Sequence, residues 1–278
     1  MNSVKEDFHI AVPTAFHADE SLNIEETLKH IDRLYQKGVR SVMICGSTGE
    51  QHSLSTSEKI QLIDSLDQEA RFAPDLEILV GVSGIRQKEV LRLAERVERS
   101  NAIKAVLLGY PPYLVPSQAE AVCYTEKVLE KLSKPVILYN NPLRTGFDLA
   151  VESILHLFDN HQIIGIKEAG DPEKIQAVQK RLDRTVYYYA GGEQDLEKKI
   201  SLGFNRLSSI AGNVWPQEIS NWFFNLLEGK NDDTDKISLL LENLYNDSFL
   251  VQLKKLIIAT SDVQMGNCRA PLGNLEKE

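Results

Sequence analysis

The sequence predicts a closed (β/α)8, or TIM, barrel with extra C-terminal helices, and three observations predict it. About eight short apolar runs recur along the 278 residues, and a stretch with helical spacing separates each from the next. The runs are continuously apolar rather than alternating, which fits a parallel sheet covered on both faces. The rival, a doubly wound open sheet, requires a Gly-rich turn after its first strand, and "PTAFHADES" is not one.

Residues 8–12, FHIAV, form the first strand. Ile24, Leu28, Ile31 and Leu34 then share one face of a helix over 24–37. The second strand is 41–45 and the second helix 57–71. Strands follow at 77–82, 104–109, 135–139, 163–167, 186–191 and 206–212, with helical segments between them. Beyond the eighth unit, 235–261 is rich in Leu and Ile and predicts two helices outside the barrel. "EGKNDDTD" (228–235) reads as a solvated linker and "CRAPLGNLEKE" as a polar tail. The division expected is a catalytic barrel over 1–228 and a helical extension over 229–278 packed on it.

Composition excludes several classes. The net charge of −9, with no basic cluster, argues against nucleic acid as a partner. Cys45, Cys123 and Cys268 are scattered, with no CxxC and no histidine at metal-ligand spacing, so they read as reduced, mostly buried thiols. No apolar stretch has the length of a membrane span, and "MNSVKEDFHI" lacks the apolar core of a signal peptide; the cytoplasm is the expected location.

In such a barrel the C-terminal ends of the strands surround the active-site mouth. Lys167 ends the sixth strand, Tyr139 ends the fifth, "GSTGE" (46–50) follows the second and "GYPPY" (109–113) the fourth. Lys167 has two readings. It can point outward and pair with Glu168 or Asp171. Alternatively, the preceding Ile-Gly-Ile places it in a dry site, where desolvation lowers its pKa and frees the amine to attack a carbonyl. Tyr139 is either a core tyrosine or a working hydroxyl at the rim. The glycines of "GSTGE" either bound a plain turn or bring the Ser47 and Thr48 hydroxyls to an anion. Arg144 is either a surface side chain or a fork for a carboxylate. His17 and His52, near loop mouths, read as bystanders, and His9, His30, His156 and His161 as edge or surface residues.

Three segments in order, "SVMICGSTGE", "YNNPLRTG" and "IIGIKEAG", resemble the dihydrodipicolinate synthase / N-acetylneuraminate lyase family of class I Schiff-base aldolases, from about Ala11 to about Pro216. The resemblance implies that Lys167 condenses with the keto group of pyruvate and that Tyr139 shuttles protons. It implies that Thr48 links Tyr139 to Tyr113, a tyrosine that reaches across a dimer interface into the neighbouring site. Ser47 and Thr48 would hold the pyruvate carboxylate, and Arg144 the carboxylate of an aldehyde partner. Gly191 and Ser208, at the seventh and eighth strands, are further substrate-side positions. No metal or organic cofactor is implied, only a covalent imine at Lys167, and a homo-oligomer, dimer or dimer of dimers, is expected.

Arg144 tilts the reading toward condensation of pyruvate with L-aspartate semialdehyde, in lysine and diaminopimelate synthesis. The alternatives are a retro-aldol lyase of a 2-keto-3-deoxy sugar acid or N-acetylneuraminate, and a barrel that merely binds a keto acid. Several positions depart from the family. Ser47-Thr48 replaces the usual Thr-Thr pair, Gln51 stands where a small residue is usual, Ser208 replaces an aliphatic residue, and "NDSFLVQLKKL" (246–256) lacks the usual prolines. Gln51, His52, Thr56 and Ile85 stand where the family senses lysine, so lysine inhibition is expected to be weak or absent. Inhibition at low millimolar lysine would remove that expectation.

Overall fold

A computed structural model describes residues 4–72, 75–230, 234–246 and 248–273. Eight strands close a barrel in sequence order, all parallel: β1 Phe8–Ala11, β2 Ser41–Ile44, β3 Glu77–Val82, β4 Ile103–Gly109, β5 Val136–Asn140, β6 Ile163–Glu168, β7 Tyr187–Ala190 and β8 Arg206–Ser209. The outer helices are α1 Ile24–Gln36, α2 Thr56–Gln68, α3 Gln87–Glu98, α4 Gln118–Leu129, the short α5 Pro142–Thr145, α6 Val151–Phe158, α7 Lys174–Gln179, α8 Leu196–Ser201 and α9 Pro216–Leu227. The sequence sets their starts. Ser55 with Glu58, and Ser117 with Glu120, form reciprocal capping boxes that satisfy the first free N–H groups of α2 and α4.

Leu28, Ile31 and Leu34 of α1 pack with Leu62 and Ile63 of α2 and with the outward side chains of the strands in one large apolar layer. A second, smaller cluster fills the lumen: Ala11, Met43, Leu79 and Ala105 are successive register partners, joined by Leu107, Ile137, Ile164 and Tyr189, with Val4 packed among them.

The lumen is more polar than the strand sequences suggest. His9, expected at an edge, is 1% exposed and lies 5.4 Å from the Tyr189 ring, where burial, Lys167 and Arg206 hold its pKa down at about 3. Arg206 stacks on Tyr187 at 3.9 Å and pairs with Asp7 at 2.5 Å. His30 is likewise buried, its Nε2 2.9 Å from Asn213 Oδ1. Both sit on apolar faces whose periodicity places them, and a short sequence window does not show what waits opposite.

Two helices follow the barrel, α10 Thr234–Tyr245 and α11 Phe249–Thr260, burying Ile237, Leu244, Leu250, Leu253 and Ile257. Residues 231–233 of the expected linker lie outside the described residues, and Thr234 and Asp235 already belong to α10. The tail is docked as far as it is described rather than running off. Arg269 pairs with Glu58, donates to Ser53 O at 2.8 Å and Glu20 O at 2.9 Å, and stacks 4.3 Å from the Phe16 ring. Among the described residues no helix is long and apolar enough to cross a membrane.

Candidate active site

Lys167 and Tyr139 are register partners across β6 and β5, so the sheet itself sets them side by side at the mouth. Lys167 Nζ lies 4.8 Å from the Tyr139 ring centroid and donates to Ser208 Oγ at 2.9 Å. Glu168 does not take it: successive strand residues face opposite ways, and Glu168 turns outward to Asn140 Nδ2 (3.0 and 2.8 Å) and Gly170 N (2.6 Å). Lys167 is 7% exposed, and burial holds its pKa below the ordinary lysine value against the opposing influence of Tyr139 and Glu193. Room for it comes from Gly191, where a Cβ would lie 3.4 Å from Lys167 Cε and 3.0 Å from Ala169 Cβ. Ser208, fully buried on β8, supplies a hydroxyl that holds the amine.

Tyr139 is half-buried. Burial pushes its phenol upward, but the Lys167 charge, hydrogen bonds from Ser47 and Asn141, and Arg144 together bring the pKa below the ordinary tyrosine value. Asn141 Nδ2 donates to the hydroxyl at 2.6 Å. The hydroxyl acting on Tyr139 is thus Ser47's, and Thr48, buried beside it, has no hydrogen bond to Tyr139 among the described residues. The loop carrying them closes through Glu50 N to Ser47 O (3.2 Å) and Gln51 N to Gly46 O (3.1 Å), and Thr14 Oγ1 braces Gly49 O at 2.7 Å. Gly81 on β3 is required beneath it, since a Cβ there would sit 2.2 Å from Cys45 O.

Ser47, Gln51, Tyr110, Tyr139, Asn141 and Arg144 help to line a cleft of about 470 Å³, open mouth included. Lys167, Thr48, Gly191 and Ser208 are not in its wall, although the Lys167 amine lies 4.8 Å from the ring centroid of Tyr139, which is. Arg144 sits on α5, which begins with Pro142 behind the Asn141 cap and stops at the left-handed Gly146; its guanidinium lies 5.8 Å from the Phe249 ring centroid. Tyr113 is not brought to the cleft of its own chain. It is 89% exposed at φ 76°, next to exposed Leu114 and Val115.

Sequence reasoning missed the carboxylates that hold these loops. Glu193 accepts from Ser209 Oγ (2.6 Å), Ile210 N (2.9 Å) and Ala211 N (3.0 Å), and its other oxygen takes the Tyr245 hydroxyl of α10 (3.0 Å). Glu50, fully buried, has Lys254 Nζ of α11 at 2.6 Å as an ion contact without hydrogen-bond alignment, and accepts from Arg269 N at 3.0 Å. The signal available was a glutamate directly after glycines in "GSTGE" and "AGGEQ", a place where an acid is seldom idle, but its partners lie some two hundred or fifty residues on. Asn141 was in plain view within "YNNP".

A barrel with a desolvated lysine and a hydrogen-bonded phenol adjacent at its mouth defines an enzyme of the class I lyase/aldolase type. The chain belongs to the dihydrodipicolinate synthetase family, whose model matches residues 6–278. It is 30% identical over 253 residues to a protein of Methanosphaera stadtmanae named 4-hydroxy-tetrahydrodipicolinate synthase, covering 88% of this chain and 84% of that one. The crystal structure of a dihydrodipicolinate synthase from Bacillus anthracis superimposes with a TM-score of 0.86 at 21% identity, covering 97% and 93%. A variant 2-keto-3-deoxygluconate aldolase from Sulfolobus solfataricus superimposes with a TM-score of 0.84 at 22% identity, covering 98% and 92%. These two likenesses are likenesses of fold.

Proposed function

We propose that this enzyme forms an imine between Lys167 and pyruvate and condenses the resulting enamine with an aldehyde acid, L-aspartate semialdehyde. The observation that carries the reading is the Lys167–Tyr139 pairing: a lysine with a lowered pKa beside a phenol with a lowered pKa. The free amine adds to the keto carbon and water leaves, which puts a positive nitrogen next to the pyruvate methyl and acidifies it. Loss of a methyl proton gives the enamine, whose carbon attacks the aldehyde; Tyr139, in reach of Ser47, relays the protons. Ser47 and Thr48 take the pyruvate carboxylate, Gly191 and Ser208 leave space for and hold the amine, and Arg144 meets the carboxylate of the aldehyde. No metal or organic cofactor enters this chemistry. The exposed Tyr113-Leu114-Val115 segment supports a homodimer in which Tyr113 completes a neighbouring site.

Borohydride reduction in the presence of pyruvate should leave a pyruvyl adduct on the peptide bearing Lys167, absent from Lys167→Ala. A parent protein without adduct is a keto-acid-binding barrel at most. Arg144→Ala should raise KM for the semialdehyde with the adduct unchanged. Turnover of a 2-keto-3-deoxy sugar acid, with none of the semialdehyde, would assign the retro-aldol reaction instead.

A further inference from the structure

Gln51 and Lys59 form an arrangement that the imine chemistry does not use. Lys59, on α2, is 4% exposed, and no carboxylate stands within ion-pair distance of it among the described residues. Its Nζ is held instead by two neutral acceptors, Gln51 Oε1 at 3.2 Å and Ser83 O at 3.1 Å, and both of those residues line the cleft. A protonated lysine offers donors only, so the amide of Gln51 has one permitted orientation: oxygen toward Lys59, NH2 away from it. The Gln51 backbone N–H is already committed to Gly46 O. Its NH2 has no protein acceptor among the described residues and belongs to a side chain in the cleft wall.

We propose that Gln51 binds the second reactant, its NH2 donating to a carboxylate oxygen of the aldehyde acid, with Lys59 as the positioning residue that fixes the amide. The inference deepens the condensation reading and rests on it. The wall favours an anionic acceptor over a neutral or cationic group. It presents the Gln51 donor, Arg144 lines the same cleft, the Lys59 ammonium stands behind the Gln51 amide oxygen, and no Asp or Glu is among its described lining residues. Burial lowers the pKa of His52, the residue next to Gln51; Glu50 opposes this, and Arg144 and Lys59 reinforce it, so both cations are felt at this part of the loop. A small residue at position 51 would leave Lys59 without its side-chain acceptor and the carboxylate with Arg144 alone.

The test is steady-state kinetics on the full-length enzyme with two aldehydes, aspartate semialdehyde and uncharged propionaldehyde, for the parent, Gln51→Leu, Lys59→Met and Lys59→Arg. Losing one hydrogen bond to a charged group predicts a tenfold to hundredfold rise in KM for the semialdehyde in Gln51→Leu. Rates with propionaldehyde, and the borohydride-trapped pyruvate adduct, should match the parent. Lys59→Met should show the same selective rise at smaller size, and Lys59→Arg should restore most of it. A semialdehyde KM within twofold of the parent, or an equal loss with both aldehydes, overturns the proposal. So does a lowered Tm in Gln51→Leu with unchanged aldehyde preference, since Gln51 would then serve only to satisfy Lys59. A parent without pyruvate adduct removes the imine reading and this inference together; a parent with adduct and an indifferent Gln51→Leu removes this inference alone.

Discussion

Replacing Lys254 with methionine should lower stability far more than an ordinary surface substitution. Lys254 is 2% exposed and Glu50 0% exposed, with Nζ 2.6 Å from Oε1, and Lys254 also donates to Asn267 O at 3.1 Å and lies 4.5 Å from the Phe16 ring. Methionine preserves much of the apolar stem and removes the charge together with the donor to Asn267 O. What remains is a carboxylate enclosed in protein, with the Arg269 N–H at 3.0 Å as a compensating donor. Breaking one side of a buried pair costs about 3–5 kcal/mol. At about 2–4 °C per kcal/mol for a domain of this size, Tm should fall by roughly 6–20 °C. Glu50→Gln alone should be similarly harmful, because it strands the ammonium instead. The double variant, with neither charge, should recover at least half of the loss. Scanning calorimetry at neutral pH on the three variants decides the matter. A Lys254→Met protein within 2 °C of the parent, or a double variant as unstable as the two losses summed, would refute the claim that this pair ties the C-terminal helices to the "GSTGE" loop.

Two further outcomes follow from the site. Tyr139→Phe removes the hydroxyl that Ser47 and Asn141 approach, and turnover should fall about a hundredfold or more, the scale for losing a proton-transfer group; near-parental turnover would make Tyr139 a packing residue. Burial raises the Glu168 pKa from 4.5 to about 7, opposed by Lys174. Between those values the folded protein keeps a proton that the unfolded chain has lost, so the Glu168 contribution to stability is full below about pH 4.5 and is lost as pH rises toward 7. Glu168→Gln should therefore show a flatter Tm profile than the parent across that window, and parallel profiles would contradict the assignment.

The sequence by itself determined the barrel, the order of its strands and the rim positions of Lys167 and Tyr139. All of these depend on local signals: apolar runs of strand length, helical spacing between them, and the rule that strand ends face the mouth. Tertiary structure decided what those residues touch. Whether Lys167 would meet Glu168 or look into the barrel turned on strand alternation and on Ser208, on a strand that arrives forty-one residues later. The Ser47 contact to Tyr139, the Glu50–Lys254 pair and the Tyr245–Glu193 bond join segments that no short window contains. For the same reason His9 reads as an edge residue and Arg206 draws no attention, although both are buried in the lumen. A periodic pattern reports which face a side chain occupies, whereas its protonation and its partners depend on the other seven strands closing around it.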